Sequence, residues 1–182
     1  AKTLIHDINS VFGNREFTFF PGVSYRHIMI WHGGNADMIS TPPHDITHKD
    51  ISLYLPKGNG SDILTGLMER VHVFLKEHPI NKKREASGKY PANSIWLWGQ
   101  GKKTQLPSFQ SKFGLKGATV AAVDLVKGIS RLIGFEAPFV EGATGYLDTN
   151  YRAKAHKALE LIENHDIVYI HIEAPDEASH NG

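Results

Sequence analysis

The chain has 182 residues, with 20 Lys and Arg against 19 Asp and Glu and no Cys, a size that suits one compact domain or two small lobes. A formal charge of +1 excludes a binding mode built on gross basicity, so neither nucleic acid nor a charged membrane surface is expected as a partner. The absence of Cys excludes disulfide scaffolds, thiolate nucleophiles and Cys-ligated zinc, while no apolar run approaches the roughly 18 residues of a membrane span, which points to a cytoplasmic protein.

Leu4, Ile5, Ile8, Val11 and Phe12 recur at helical spacing and predict a first helix that stops at Gly13. Two strands follow, Glu16–Phe20 and Tyr25–His32, joined through the Pro21-Gly22 turn; the second is expected to be half or fully buried. From Gly33 to Gly60 the chain is polar and turn-rich, long for an inert connection. Ser61 is the expected cap of a helix whose apolar face holds Ile63, Leu64, Leu67, Met68, Val71, Phe74 and Leu75. Residues 79–93 read as a basic, turn-rich linker and divide the chain, giving lobes of 1–88 and 89–182. Beyond it, strands are expected at Ile95–Trp98, Ala118–Ala122, Phe139–Val140 and Ile167–Ile172, with helices over Asp124–Gly134 and Thr149–Asn164, the latter capped by Asp148. This alternation argues for a parallel α/β sheet, whose ligand sites form at the carboxyl ends of its strands.

The residues able to do chemistry sit in loops around that framework. Asp176 and His180 are four apart directly after the last strand, which places a carboxylate and an imidazole on one helical face. That donor pair suits Mn²⁺, Zn²⁺ or Fe²⁺ better than Ca²⁺, although a helix cap and a surface histidine account for the spacing equally well. A catalytic metal needs about three protein ligands, more than this pair supplies. Trp98-Gly-Gln-Gly-Lys-Lys103 fails the phosphate-loop template, because Lys103 stands where Ser or Thr belongs, yet Lys102 can meet an anion. Arg26 opens an apolar segment and calls for an acid or an anion. His44-Asp45 follows Pro42-Pro43 and can serve as an acid/base or hydroxyl-binding pair. The three tryptophans read as core residues rather than stacking platforms.

Three long motifs in order, Ile95-Trp-Leu-Trp-Gly-Gln-Gly-Lys-Lys103, Gly142-Ala-Thr-Gly-Tyr-Leu-Asp-Thr149 and His171-Ile-Glu-Ala-Pro-Asp-Glu-Ala-Ser-His180, resemble those of the archaeal-type cofactor-independent phosphoglycerate mutases. Pro21-Gly-Val-Ser-Tyr-Arg26 and Pro42-Pro-His-Asp45 are similar to the same family. The resemblance implies part of an alkaline-phosphatase-like α/β core, a parallel sheet with helices, over 89–182 and an inserted α+β substrate-binding lobe over 1–88. It also implies isomerisation of 2-phosphoglycerate and 3-phosphoglycerate through a phosphoserine at two divalent metals, typically Mn²⁺. Asp176 and His180 would ligate one metal; Arg26, His44, Asp45 and Lys102 would contact phosphoglycerate. No residue here matches the family's nucleophile or its other metal ligands, so the chain is expected to be an internal, inactive piece of a longer glycolytic isomerase, with exposed edges through which it can oligomerise. Another phosphomonoesterase or phosphonate hydrolase of the same superfamily is the alternative, and a non-catalytic anion- or protein-binding module is the second.

Overall fold

The computed structural model describes residues 1–181, without the side chains of Glu177, His180 and Asn181. The chain forms two compact units, the first of Ala1–Lys102 and the second beginning at Lys103.

In the first unit, α1 (Lys2–Phe12) buries Leu4, Ile5 and Ile8, and α2 (Ser61–Glu77) buries Leu64, Leu67, Met68, Val71 and Leu75, each along one helical stripe. Strands β1 (Phe17–Phe20) and β2 (Ile28–Trp31) pair antiparallel with Phe17 opposite Trp31 and Phe19 opposite Met29. Alternation turns Phe17 and Phe19 into the core with those two partners, while Phe20, Ile28 and Ile30 face outward. The second strand is therefore more exposed than its composition predicts, because only one of its faces meets the helices. Asn9 on α1 fixes the hairpin by accepting the Phe19 backbone N–H at 2.8 Å.

The cap of α2 is Gly60, at φ +86°, rather than Ser61, and it supplies no side-chain cap bond. The polar segment before it contains two short 3-10 turns, Pro43–Ile46 and Ile51–Tyr54. Residues 79–86, expected to be a linker, are instead helix α3 (Pro79–Ala86). His78 caps it by accepting the Ile80 N–H, and Pro79 occupies a first-turn position where no N–H is needed. The His78 ring also meets Asp7 of α1 at 3.0 Å. The one residue that α3 buries is polar. Asn81, with no exposed surface, donates to the carbonyls of Leu75 and Ala92 and accepts the Ala92 N–H, all within 2.9 Å. Those bonds, together with Ile95 and Leu97 packed on the core, carry the first unit to Lys102, beyond the compositional break at residue 88.

The second unit opens with the short helix α4 (Phe109–Phe113), followed by β3 (Gly117–Val120), α5 (Asp124–Leu132), α6 (Tyr151–Ile162), β4 (Ile167–Ile170) and α7 (Ala174–Asn181). Strands β3 and β4 pair in parallel, Gly117 opposite Ile167 through Val120 opposite Ile170. All of β3 is buried. Ala118 and Val120 pack with Ala158 and Leu161 of α6, whereas Thr119 accepts a 2.8 Å bond from Ser130 of α5. Side chains alternate across a strand, so the two helices cover opposite faces, the layering of an α/β sheet. The expected strand at Phe139–Val140 is absent; an isolated bridge between Ala118 and Glu136 is all that forms there. Strand β4, predicted buried, has Ile167, Tyr169 and Ile170 exposed. It lies at the edge of the pair, with no further strand on its other side among the described residues. Helix α6 is capped by Asn150, which accepts the Ala153 N–H, and not by Asp148. No helix among the described residues is long and apolar enough to cross a membrane.

Candidate functional site

Residues 89–108 have no regular secondary structure. The segment predicted as a strand at Ile95–Trp98 keeps the alternation of one without a ladder. Ile95 and Leu97 turn into the core of the first unit. Trp96, Trp98 and Gln100 turn the other way, onto the loop at 38–44. The Trp96 indole N–H donates to the Thr41 carbonyl at 2.8 Å. The Trp98 and His44 rings meet edge to face, 5.5 Å between centroids and 80° apart. The Gln100 amide donates to the Met38 carbonyl and accepts from the Ser40 hydroxyl. Gly99 makes this possible, since its φ of +66° is a conformation that a residue with a Cβ rarely adopts.

Two of the motifs singled out in the sequence, Pro42–Asp45 and Trp96–Lys102, thus form one surface on the first unit. His44 and Asp45 lie on it, their side chains largely exposed and 3.8 Å apart. Lys102, also exposed, ends the segment. Trp98 is 46% exposed and so is part of this surface rather than of the core, contrary to its expected role. An imidazole and a carboxylate beside an indole offer hydrogen-bond partners to a small hydroxylated ligand. Ser40, Trp98 and Gln100 are the members that sequence reasoning missed. The available signal was the every-second-residue run of Trp96, Trp98 and Gln100.

Arg26 is exposed on the turn before β2. Its guanidinium lies 5.4 Å from the centre of the Tyr25 ring and donates to the Tyr25 hydroxyl at 3.4 Å. Among the described residues no carboxylate forms an ion pair with it. Next to it, His27 accepts the Gly22 N–H through Nδ1 at 3.1 Å. Burial, with a smaller contribution from the positive N-terminus, holds its pKa below the ordinary 6.5.

In the second unit, the region beyond the carboxyl ends of β3 and β4 gathers the other two motifs. His171 continues β4 by donating its N–H to the Val120 carbonyl at 2.9 Å. Its Nε2 lies 3.2 Å from the Glu173 carboxylate, and its Nδ1 is buried without a partner. The Asp176 N–H donates to the Glu173 carbonyl at 2.9 Å, starting α7. The Gly142–Asn150 loop runs beside Glu173 at Gly145, where a Cβ would be in ordinary contact, 3.7 Å from the Glu173 side chain. Asp148, expected to cap a helix, instead accepts the Thr144 hydroxyl at 3.0 Å. Asp176 is exposed at this end of the sheet; the side chain of His180, the other expected metal ligand, lies outside the described residues. Among the described residues no three His, Asp or Glu side chains come together as a metal site.

Residues 57–182 match the Metalloenzyme superfamily, and residues 1–81 match the family described as 2,3-bisphosphoglycerate-independent phosphoglycerate mutase. The chain belongs to the Metalloenzyme superfamily, in keeping with its parallel α/β unit. Several proteins that it resembles are named phosphoglycerate mutases. A probable 2,3-bisphosphoglycerate-independent phosphoglycerate mutase of Geobacter sulfurreducens is 52% identical over the whole of this chain, and one of Methanosarcina barkeri is 46% identical. The chain spans 46% of the length of each of these relatives. The solved structure of a cofactor-independent phosphoglycerate mutase from Thermoplasma acidophilum is similar over 95% of this chain and 48% of its own, at 26% identity and a TM-score of 0.63.

Proposed function

We propose that this chain is part of a 2,3-bisphosphoglycerate-independent phosphoglycerate mutase, a glycolytic isomerase that interconverts 2-phosphoglycerate and 3-phosphoglycerate. The first unit is its substrate-reading lobe and the second belongs to its alkaline-phosphatase-like core. The observation that carries this reading is the joining of Pro42–Asp45 to Trp96–Lys102. It gathers on one lobe the cation and hydrogen-bonding groups that a phosphorylated hydroxy acid requires. Phosphoglycerate differs from a simple phosphate monoester by its carboxylate and free hydroxyl. Lys102 and Arg26 supply positive charge for the first; His44 and Asp45 suit the second. Asp176 and His180 are assigned to a divalent metal, proposed as Mn²⁺, whose remaining ligands are expected elsewhere in the whole enzyme. The phosphoserine nucleophile is placed there as well, so the 182-residue chain is expected to show no mutase turnover in a coupled assay with Mn²⁺.

The discriminating test is a titration of the ¹⁵N-labelled chain with 3-phosphoglycerate and, separately, with phenyl phosphate. 3-Phosphoglycerate is expected to shift the Trp98 indole and the His44, Gln100 and Lys102 signals, and Arg26→Ala to weaken its binding several-fold more than that of phenyl phosphate. Equal binding of the two ligands, with equal losses in Arg26→Ala, favours the phosphomonoesterase alternative. No shift at Trp98 or Gln100 with either ligand removes the lobe from substrate recognition.

A further inference from the structure

Lys154 stands on α6 with only 2% of its surface exposed. A lysine is almost never buried to that degree without a compensating partner. Among the described residues no carboxylate forms an ion pair with it, and burial, with a smaller contribution from the like charge of Lys127, holds its pKa below the ordinary lysine value. Its ammonium donates to the Thr144 carbonyl at 3.1 Å, in the middle of the Gly142–Asn150 loop.

That loop already fixes its own shape. The Asn150 N–H closes it on the Gly142 carbonyl at 2.9 Å, and the Thr144 N–H donates to the Thr149 hydroxyl at 2.9 Å. The Thr144 hydroxyl donates to Asp148 and accepts the Tyr146 N–H. None of these bonds ties the middle of the loop to the rest of the unit, and its outermost residues, Tyr146 and Leu147, are exposed. The Lys154 ammonium makes that connection from below, at the residue preceding Gly145, where the loop passes Glu173 at the root of α7. A methionine or leucine would fill the same space at a lower desolvation cost. The charged donor is accounted for by the carbonyl it holds, since an ammonium bonds a backbone carbonyl more strongly than a neutral group does.

We propose that Lys154 is a positioning residue: its buried ammonium clamps the Thr144 carbonyl and so sets the Gly142–Asn150 loop against Glu173 and the start of the Asp176 helix. Its importance to catalysis rests on the mutase reading above; the clamp itself does not. The test therefore uses no substrate and no metal, so that failure of either idea leaves the other standing.

In the wild-type chain, the Lys154 ammonium is expected as a slowly exchanging ¹H–¹⁵N signal with a through-hydrogen-bond coupling to the Thr144 carbonyl carbon. In Lys154→Met, hydrogen exchange at the Thr144, Tyr146 and Asn150 amides is expected to rise roughly tenfold or more, with the Thr119 amide in β3 changing less than about twofold. A wild-type ammonium that exchanges freely and lacks the coupling overturns the proposal. So does a rise in exchange shared equally by the loop and β3, which would make Lys154 an ordinary core residue. The wild-type spectrum decides the matter even where Lys154→Met does not fold.

Discussion

Replacing Asn81 with Ala isolates the contribution of a single polar side chain to the lobe that carries His44 and Trp98. The amide makes three hydrogen bonds in a site with no solvent exposure, two to Ala92 and one to the Leu75 carbonyl at the end of α2. At about 1 kcal/mol each, the bonds amount to about 3 kcal/mol, and any backbone group left buried without a partner adds to the loss. For a unit near 100 residues, each kcal/mol moves the midpoint by about 4–8 °C, so a transition lowered by about 15 °C is expected. Trp31, Trp96 and Trp98 are the only tryptophans in the chain, and all lie in the first unit, so thermal and urea unfolding followed by tryptophan fluorescence report on that unit alone. Asn81→Asp is expected to fare no better than Ala, because its carboxylate keeps the acceptor for Ala92 N–H but faces the Leu75 and Ala92 carbonyls with no donor. Lys82→Ala, one residue on, removes only an exposed 3.3 Å pair with Glu77 and is expected to cost less than about 0.5 kcal/mol. An Asn81→Ala chain within 1 kcal/mol of wild type, at unchanged denaturant slope, refutes the reasoning.

Two further outcomes follow from the same lobe. Gln100→Ala, which loses the bonds to Met38 and Ser40, is expected to cost about 1–2 kcal/mol and to increase acrylamide quenching of tryptophan; unchanged quenching would show that Gln100 does not hold Trp98 in place. His27 is held below its ordinary pKa of 6.5 by burial, so between pH 6.5 and its folded value the unfolded chain binds more protons. The first unit should therefore lose stability as pH falls below 6.5, and in His27→Gln the urea midpoint should vary less between pH 7.5 and 5.5; an identical pH dependence in the variant would argue against the assignment.

The pattern of legible and illegible elements has physical causes. Helices α1 and α2 announce themselves through apolar periodicity, and each appears where that periodicity places it. Helix α3 does not, because Lys82, Lys83 and Arg84 face solvent and the one buried residue is Asn81, so it has no apolar stripe to detect. Ile95–Trp98 has the composition of a strand, but a strand also requires a partner; here the backbone is stitched to its surroundings by side chains instead. Exposure of β4 depends on what lies beside it in space, which its own four apolar or aromatic residues do not record. At the candidate site, His44, Asp45 and Lys102 were legible as polar groups in unusual local sequences. The meeting of His44 with Trp98, and of Ser40 with Gln100, was not, since Ser40 and Gln100 are sixty positions apart.

Trp31 has a consequence for the long polar segment that follows it. A Cβ on Gly34 would fall 2.0 Å from its indole, and one on Gly60 would fall 2.8 Å from the far edge of the same ring. The two ends of the segment therefore close on one aromatic plate, as a noose closes on a peg. Once a loop is closed, lengthening it costs little, about 0.6 kcal/mol for each doubling. Inside that noose Met38 is buried in the core and Ile39 bridges Lys57, so the part of the stretch that bears His44 and Asp45 hangs from a neck at Ile39 and Lys57. Grafting a different loop between Ile39 and Lys57, with Met38 kept, should alter what the lobe recognises while leaving the packing of α1, α2 and the hairpin in place.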